Sequence, residues 1–261
     1  MTTEFLRAGT MAWLRGFAHG SALVAVVASG NAWSAPACIA QSGPLSTPVV
    51  ELYTSEGCNS CPPADRWLSE LRSEPGVVAL AFHVDYWDRL GWKDRFASPA
   101  HTQRQATQQG SNGARFSYTP QVVVDGIDRP QWFSASPASS NRERGAALVD
   151  IKLQSDDKLV TATVNARPGA PARLAAYWAV TESNHQTAVK AGENQGSTLA
   201  HDFVVRRYLP VAAWNSSHES SVNLRFEPAA PAAAAHPSFV NLVVIDAATR
   251  RPVQAARLGC L

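Results

Sequence analysis

The stretch VELYTSEGCNSCPPAD, residues 50–65, decides how the rest of the chain is read. Val49-Val50-Glu51-Leu52-Tyr53 is a short run of β-branched, aromatic and apolar residues and predicts a buried strand. Thr54 to Gly57 reads as a turn, and Cys58-Asn59-Ser60-Cys61 follows directly. Pro62 and Pro63 suit a first helical turn, whose N–H groups have no intrahelical partner. Trp67, Leu68 and Leu71 give a helix from about Cys61 to Arg72 one apolar face. A Cys-x-x-Cys at a strand–helix junction sits where free N–H groups and the helix dipole favour the thiolate. The two-residue spacer lets the sulfurs close a small ring that reopens easily, the first cysteine attacking and the second resolving.

Outward from this motif, Val77 to Val84 (VVALAFHV) is an apolar run too continuous to be half-exposed, as in parallel sheets covered on both faces. Pro99 to Gln109 predicts a polar helix with Ser98 as its cap, and Val122-Val123-Val124 a third strand closed by an Asp125-Gly126 turn. Strand–helix–strand–helix–strand is an α/β pattern. Thr119-Pro120 stands directly before the third strand. Together with the cysteine motif it points to a thioredoxin-like fold, in which a cis proline at this place faces the active cysteines. The remainder, from about Ala146, alternates differently: Val160, Ala162 and Val164 with threonines, and Val222, Leu224 and Phe226 with polar residues. Leu174–Val180, Phe203–Tyr208 and Phe239–Ile245 are further strand candidates, with a turn at Asp246–Thr249. The expected organisation is a thioredoxin-like α/β domain over 43–145, followed by a mainly-β, antiparallel, sandwich-like domain over 146–261.

The first residues have the grammar of a signal peptide. Arg7 and Arg15 are followed by an apolar stretch from Gly16 to Ala28 and by small residues around Ala32, Ser34, Ala35 and Ala37. Residues 1–37 are therefore expected to direct export to the periplasm or beyond, with cleavage within 34–37; an uncleaved anchor is the alternative. No other stretch reaches the roughly 18 apolar residues of a membrane span. The net charge of +2, without a basic block interleaved with aromatics, speaks against a nucleic-acid partner.

Four cysteines fit an exported, disulfide-bonded chain. Cys38 and Cys260 flank the mature chain and are expected to form a structural disulfide; lipidation is the alternative for Cys38. Cys58–Cys61 admits other readings: half a zinc site, an inert structural disulfide, or a copper ligand pair with His83 as third ligand. Glu51, an acid inside an apolar strand, is expected as a buried proton acceptor with a raised pKa, as an edge-exposed residue, or as a pair with Arg66. The stretch holding Asp85, Trp87, Asp88, Trp92, Lys93 and Asp94 lies where α/β sheets bind ligands and reads as a docking lip or as a packed loop. Gly192 to Arg206 reads as a loop and strand facing the first domain.

Residues 50–65, FHVDYWDRLGWKDRFASP (82–99), YTPQVVVDG (118–126) and AGENQGSTLAHDFVVR (191–206) resemble a family of exported bacterial thioredoxin-like proteins whose function is uncharacterised. The resemblance implies a thiol-based role and no particular substrate. The leading expectation is a thiol–disulfide oxidoreductase of the cell envelope, exchanging disulfides with exported proteins or small thiols. Cys58, Cys61, Pro120 and Glu51 would be catalytic, and Thr119, Trp87 and Asp85 would bind substrate. No cofactor is expected beyond the disulfide. The alternatives are a non-catalytic binding module and a copper metallochaperone.

Overall fold

β2 (Val49–Thr54) forms where the first apolar run predicts it, and all six residues are buried. α1 (Pro62–Ser69) begins on its two prolines and tightens into a 3-10 turn, Glu70–Ser73. β3 (Val78–His83) is likewise buried throughout. α2 (Pro99–Ser111) starts at Ser98, whose Oγ accepts from the Ala100 N–H at 3.3 Å. β4 (Gln121–Val124) and β5 (Ile127–Asp128) form a hairpin at one sheet edge. The computed structural model describes residues 38–113, 115–134, 136, 144–156, 159–228 and 236–259. The expected signal peptide and Cys260 lie outside these residues.

The expected α/β thioredoxin-like domain followed by a mainly-β sandwich is corrected by what these strands join. The molecule is mostly β, with two α-helices among the described residues. After β5 every named strand or α-helix is a strand: β6 (Val149–Asp156), β7 (Leu159–Ala166), β8 (Arg173–Glu182), β9 (His185–Ala188), β10 (Thr198–His201), β11 (Val204–Asn215), β12 (Ser221–Phe226), β13 (Ser238–Asp246) and β14 (Pro252–Leu258). An eight-stranded mixed sheet runs β14-β13-β8-β11-β3-β2-β4-β5. The free edge of β3 is taken by β11, parallel, with Val204 opposite Ala81 and the Ala81 N–H donating to the Phe203 carbonyl at 2.8 Å. The early strands thus form one side of a larger sheet. The strand–helix alternation is confined to the first part of the chain, so it could not reveal this.

Three apolar clusters follow from the alternation of side chains across the strands. Val50, Leu52, Ala79 and Ala81 meet Ala64, Leu68 and Leu71 of α1. Tyr53, Leu80 and Phe82 face the other way, with Tyr177 and Val205. Further along the sheet, β8 and β13 bury Trp178, Val240 and Leu242 against a four-stranded sheet of order β1-β6-β7-β12, where β1 is Cys38–Gln41. Trp178 stacks on Phe226 there, with ring centroids 5.1 Å apart. Among the described residues, no helix is long and apolar enough to cross a membrane.

Candidate functional site

Cys58 and Cys61 are joined in a disulfide. Cys61 is the N-cap of α1, and its carbonyl accepts from the Ala64 and Asp65 N–H groups at 2.9 and 3.1 Å. The bond therefore lies at the helix end whose first N–H groups have no intrahelical partner. Asn59 and Ser60, between the cysteines, are exposed, but both cysteines are 0% exposed. Ser60 Oγ lies 3.3 Å from Cys58 Sγ and 3.5 Å from the Thr119 carbonyl oxygen. Trp87 Nε1 donates to Thr119 Oγ1 at 2.8 Å. Trp87 also crosses Gly57 so closely that a Cβ there would stand 3.1 Å from its own Cβ, a tighter contact than side chains usually make. The Thr119–Pro120 bond is cis. The structure thus brings Cys58, Cys61, Thr119 and Trp87 together, with Pro120 next to Thr119.

Glu51 is elsewhere. It is buried, but on the sheet face opposite α1, alongside Tyr53. Its carboxylate is ion-paired with Arg104 of α2 and accepts from Tyr177 OH at 2.5 Å, Tyr53 OH at 2.9 Å and Gln108 Nε2 at 3.1 Å. Burial raises its pKa, but the Arg104 charge and these bonds outweigh burial and hold it below the usual value. The expectations of a raised pKa, of edge exposure and of a pair with Arg66 are all corrected. Asp85 is tied to α2, accepting from Thr102 Oγ1 at 2.5 Å. Cys38 is disulfide-bonded; its expected partner, Cys260, lies outside the described residues.

On the α1 side, a group of buried acids and imidazoles flanks the cysteine turn. His83 Nδ1 and Asp94 Oδ2 are 2.6 Å apart, both fully buried. Asp94 also accepts from the Glu56 N–H and the Phe96 N–H, each at 2.9 Å. Burial raises the Asp94 pKa, but the His83 charge and its hydrogen bond hold it at about 2. Burial lowers that of His83, and Asp94 more than reverses it. His201 stacks edge-on to His83 at 5.0 Å, with its Nε2 3.4 Å from Glu56 Oε1, an ion-pair separation without hydrogen-bond geometry. Asp65, one turn after Cys61, accepts from Thr54 Oγ1 at 3.2 Å, and burial raises its pKa. The copper alternative needs Cys58, Cys61 and His83 free to ligate. The two sulfurs are bonded to each other, and His83 Nδ1 is bonded to Asp94, which leaves only its Nε2 without a partner. Among the described residues, no group of three or more His, Cys, Asp or Glu is placed to hold a metal ion.

Residues 49–243 match the model of a protein family of unknown function, DUF1223. The chain belongs to this family. Two solved structures are similar to this DUF1223 member. One is a crystal structure of an Agrobacterium tumefaciens protein, 26% identical, covering 82% of this chain and 94% of that one with a TM-score of 0.60. The other is HBP35 of Porphyromonas gingivalis, 15% identical, covering 84% and 76% with a TM-score of 0.60, a likeness of fold alone. No curated protein matches the DUF1223 chain.

Two further residues belong to the DUF1223 site. The β9–β10 hairpin carries Glu193 and Asn194 to the cysteine turn. Asn194 Nδ2 donates to the Glu56 and Cys58 carbonyls, both at 2.9 Å. Glu193 Oε2 accepts from the Asn59 N–H at 3.1 Å. The expectation that Gly192 to Arg206 faces the first part of the chain agrees with this contact. The individual residues were not legible, because Asn194 lies 138 positions from Glu56 and no local spacing links them.

Proposed function

We propose that this protein is a thiol–disulfide oxidoreductase of an oxidising compartment outside the cytoplasm, working on thiols of exported proteins or on small thiols. The observation that carries the reading is the Cys58–Cys61 disulfide at the N-terminus of α1, with the Thr119 carbonyl beside the intervening Ser60 and Trp87 bonded to Thr119. A thiolate attacks Cys58 Sγ and forms a mixed disulfide, while Cys61 leaves as a thiolate beside the helix N-terminus, which favours that charge. A second thiolate from the same dithiol partner then displaces Cys58. The partner is oxidised by two electrons and the Cys58–Cys61 pair is reduced by the same two. Asp65, the buried acid one helical turn from Cys61, is the group suited to exchange a proton with the leaving sulfur. A disulfide and a leader-like first segment agree with export.

Full burial of both sulfurs favours a second reading, a binding module with a structural disulfide. Equilibration of the mature protein with glutathione buffers, followed by thiol trapping, separates the two. Exchange requires a reversible transition between about −120 and −270 mV; a bond still intact below about −300 mV establishes the structural disulfide instead.

A further inference from the structure

We infer that the tip of the β9–β10 hairpin, residues 189–197, is a built-in cover that controls thiol access to the Cys58–Cys61 disulfide, with Asn194 as its latch. The inference rests on reading this pair as an exchanging disulfide. The tip is preformed. Gly196 N–H donates to the Val189 carbonyl, Val189 N–H to Ser197, Gln195 N–H to Gly192 and Ser197 N–H to Asn194, at 2.9 to 3.2 Å. Gly192 has φ +75, a conformation that favours glycine, and approaches Trp92 so closely that a Cβ would stand 3.2 Å from the Trp92 Cβ. Trp92 Nε1 in turn donates to Glu56 Oε2 at 2.8 Å. The backbone on both sides of Cys58 is thereby clamped by residues from far along the chain. Asn194 holds the carbonyls of Glu56 and Cys58, and Glu193 holds the N–H of Asn59.

This arrangement accounts for an otherwise odd contrast. Asn59 and Ser60 are exposed, yet the two sulfurs beside them are 0% exposed and Asn194 is only 8% exposed. Disulfide exchange depends on access of the attacking thiolate to one sulfur. With the tip seated, Cys58 Sγ offers none. Lifting it frees two carbonyls and one N–H that must find new partners. Water or an incoming partner supplies them, so the cost of lifting the tip limits attack on Cys58 Sγ by any thiol. Once admitted, the partner's first thiolate bonds to Cys58 Sγ and expels Cys61 as a thiolate. Its second thiolate then closes the partner's own disulfide and releases Cys58.

The test is the rate at which dithiothreitol reduces the oxidised mature protein, read by trapping the released thiols. Asn194→Ala is expected to react about tenfold faster than the unaltered protein, because two hydrogen bonds of the closed state are gone. Glu193→Ala, whose side chain is exposed and whose loss leaves the core intact, is expected to react about threefold faster. It decides the matter should Asn194→Ala not fold. Ser98→Ala, which removes the side-chain N-cap bond of α2 and none of the bonds of the tip, controls for general loosening and is expected to leave the rate unchanged. Equal rates in the unaltered protein and in the cover variants overturn the inference. So does a rise in Ser98→Ala equal to theirs. Faster reduction of the cover variants, with no oxidation of a protein dithiol by any form, upholds the cover and rejects exchange as the function.

Discussion

Asp94 organises the ground beneath the cysteines. Its two oxygens take one imidazole and two backbone N–H groups, which ties β3, the turn after β2 and its own loop together. Its pKa of about 2, against an ordinary 3.8, makes that tie depend on pH. A carboxyl with a depressed folded pKa contributes stability that is present above its unfolded value and is lost as pH falls through the folded one. For Asp94 the loss falls between pH 3.8 and about 2 and amounts to about 2 kcal/mol. His83 runs the other way: its raised pKa gives stability that is full below 6.5 and fades as pH rises through the folded value. The pair thus stabilises most between pH 3.8 and 6.5. Urea unfolding at pH 2.5, 5 and 8 checks this: Asp94→Asn is expected to lose most stability at pH 5 and least at pH 2.5. A pH-independent difference contradicts the assignment. In the sequence Asp94 was visible only as one charge among several in a Trp- and Asp-rich loop. Nothing local distinguishes a buried acid paired with a strand histidine from one that caps a surface turn.

At the level of elements, the strands and helices around the cysteines were legible because each rests on a local signal: apolar runs for β2, β3 and β4, and the Ser98-Pro99 start for α2. What α2 buries was not legible. His101, Gln105 and Gln108 recur at helical spacing, but they are polar, so apolar periodicity passes over the face that packs. Arg104 adds to that face: it pairs with Glu51, donates to Tyr208 OH at 3.2 Å and lies 3.9 Å above the Tyr177 ring. A helix fixed by polar contacts fails differently from one fixed by leucines. Arg104→Met keeps the bulk of the stem but leaves Glu51 buried without a counter-charge. The expected loss is about 3–5 kcal/mol at pH 8. It shrinks toward pH 5, because an isolated buried carboxyl takes up a proton instead. Denaturant midpoints of the variant at the two pH values test this, and an equal loss at both would show that Glu51 takes up no proton when Arg104 is gone.

At the scale of the whole molecule, the decisive joint is the one that local reading could not see, between β3 and β11. The register Val204–Ala81 and the Ala81 N–H to Phe203 carbonyl bond join strands more than a hundred residues apart into one sheet. Phe203 adds its ring to the cluster under α1, and Tyr177 of β8 reaches Glu51 on the other face. The cysteine turn is clamped from the same later part of the chain. Each contact would leave a buried strand edge, a buried charge or an unsatisfied carbonyl if one part unfolded alone, and each such group carries its own penalty. The early and late parts are therefore expected to unfold in one step. Two probes report on them separately. The fluorine resonance of Trp178 in fluorotryptophan-labelled protein, buried against Phe226, follows the late strands apart from the other seven tryptophans, and thiol trapping under reductant follows Cys58 and Cys61. Their urea transitions should coincide in midpoint and steepness, the signature of a two-state unit. Phe203→Ala removes a side chain from the joint and should lower both midpoints together by about 3–5 kcal/mol in stability. If the cysteines become trappable well before Trp178 is exposed, and with the steep urea dependence of unfolding rather than the shallow one of a lifted tip, the β3–β11 joint is weaker than the contacts on either side of it, and the early strands fold as a unit of their own.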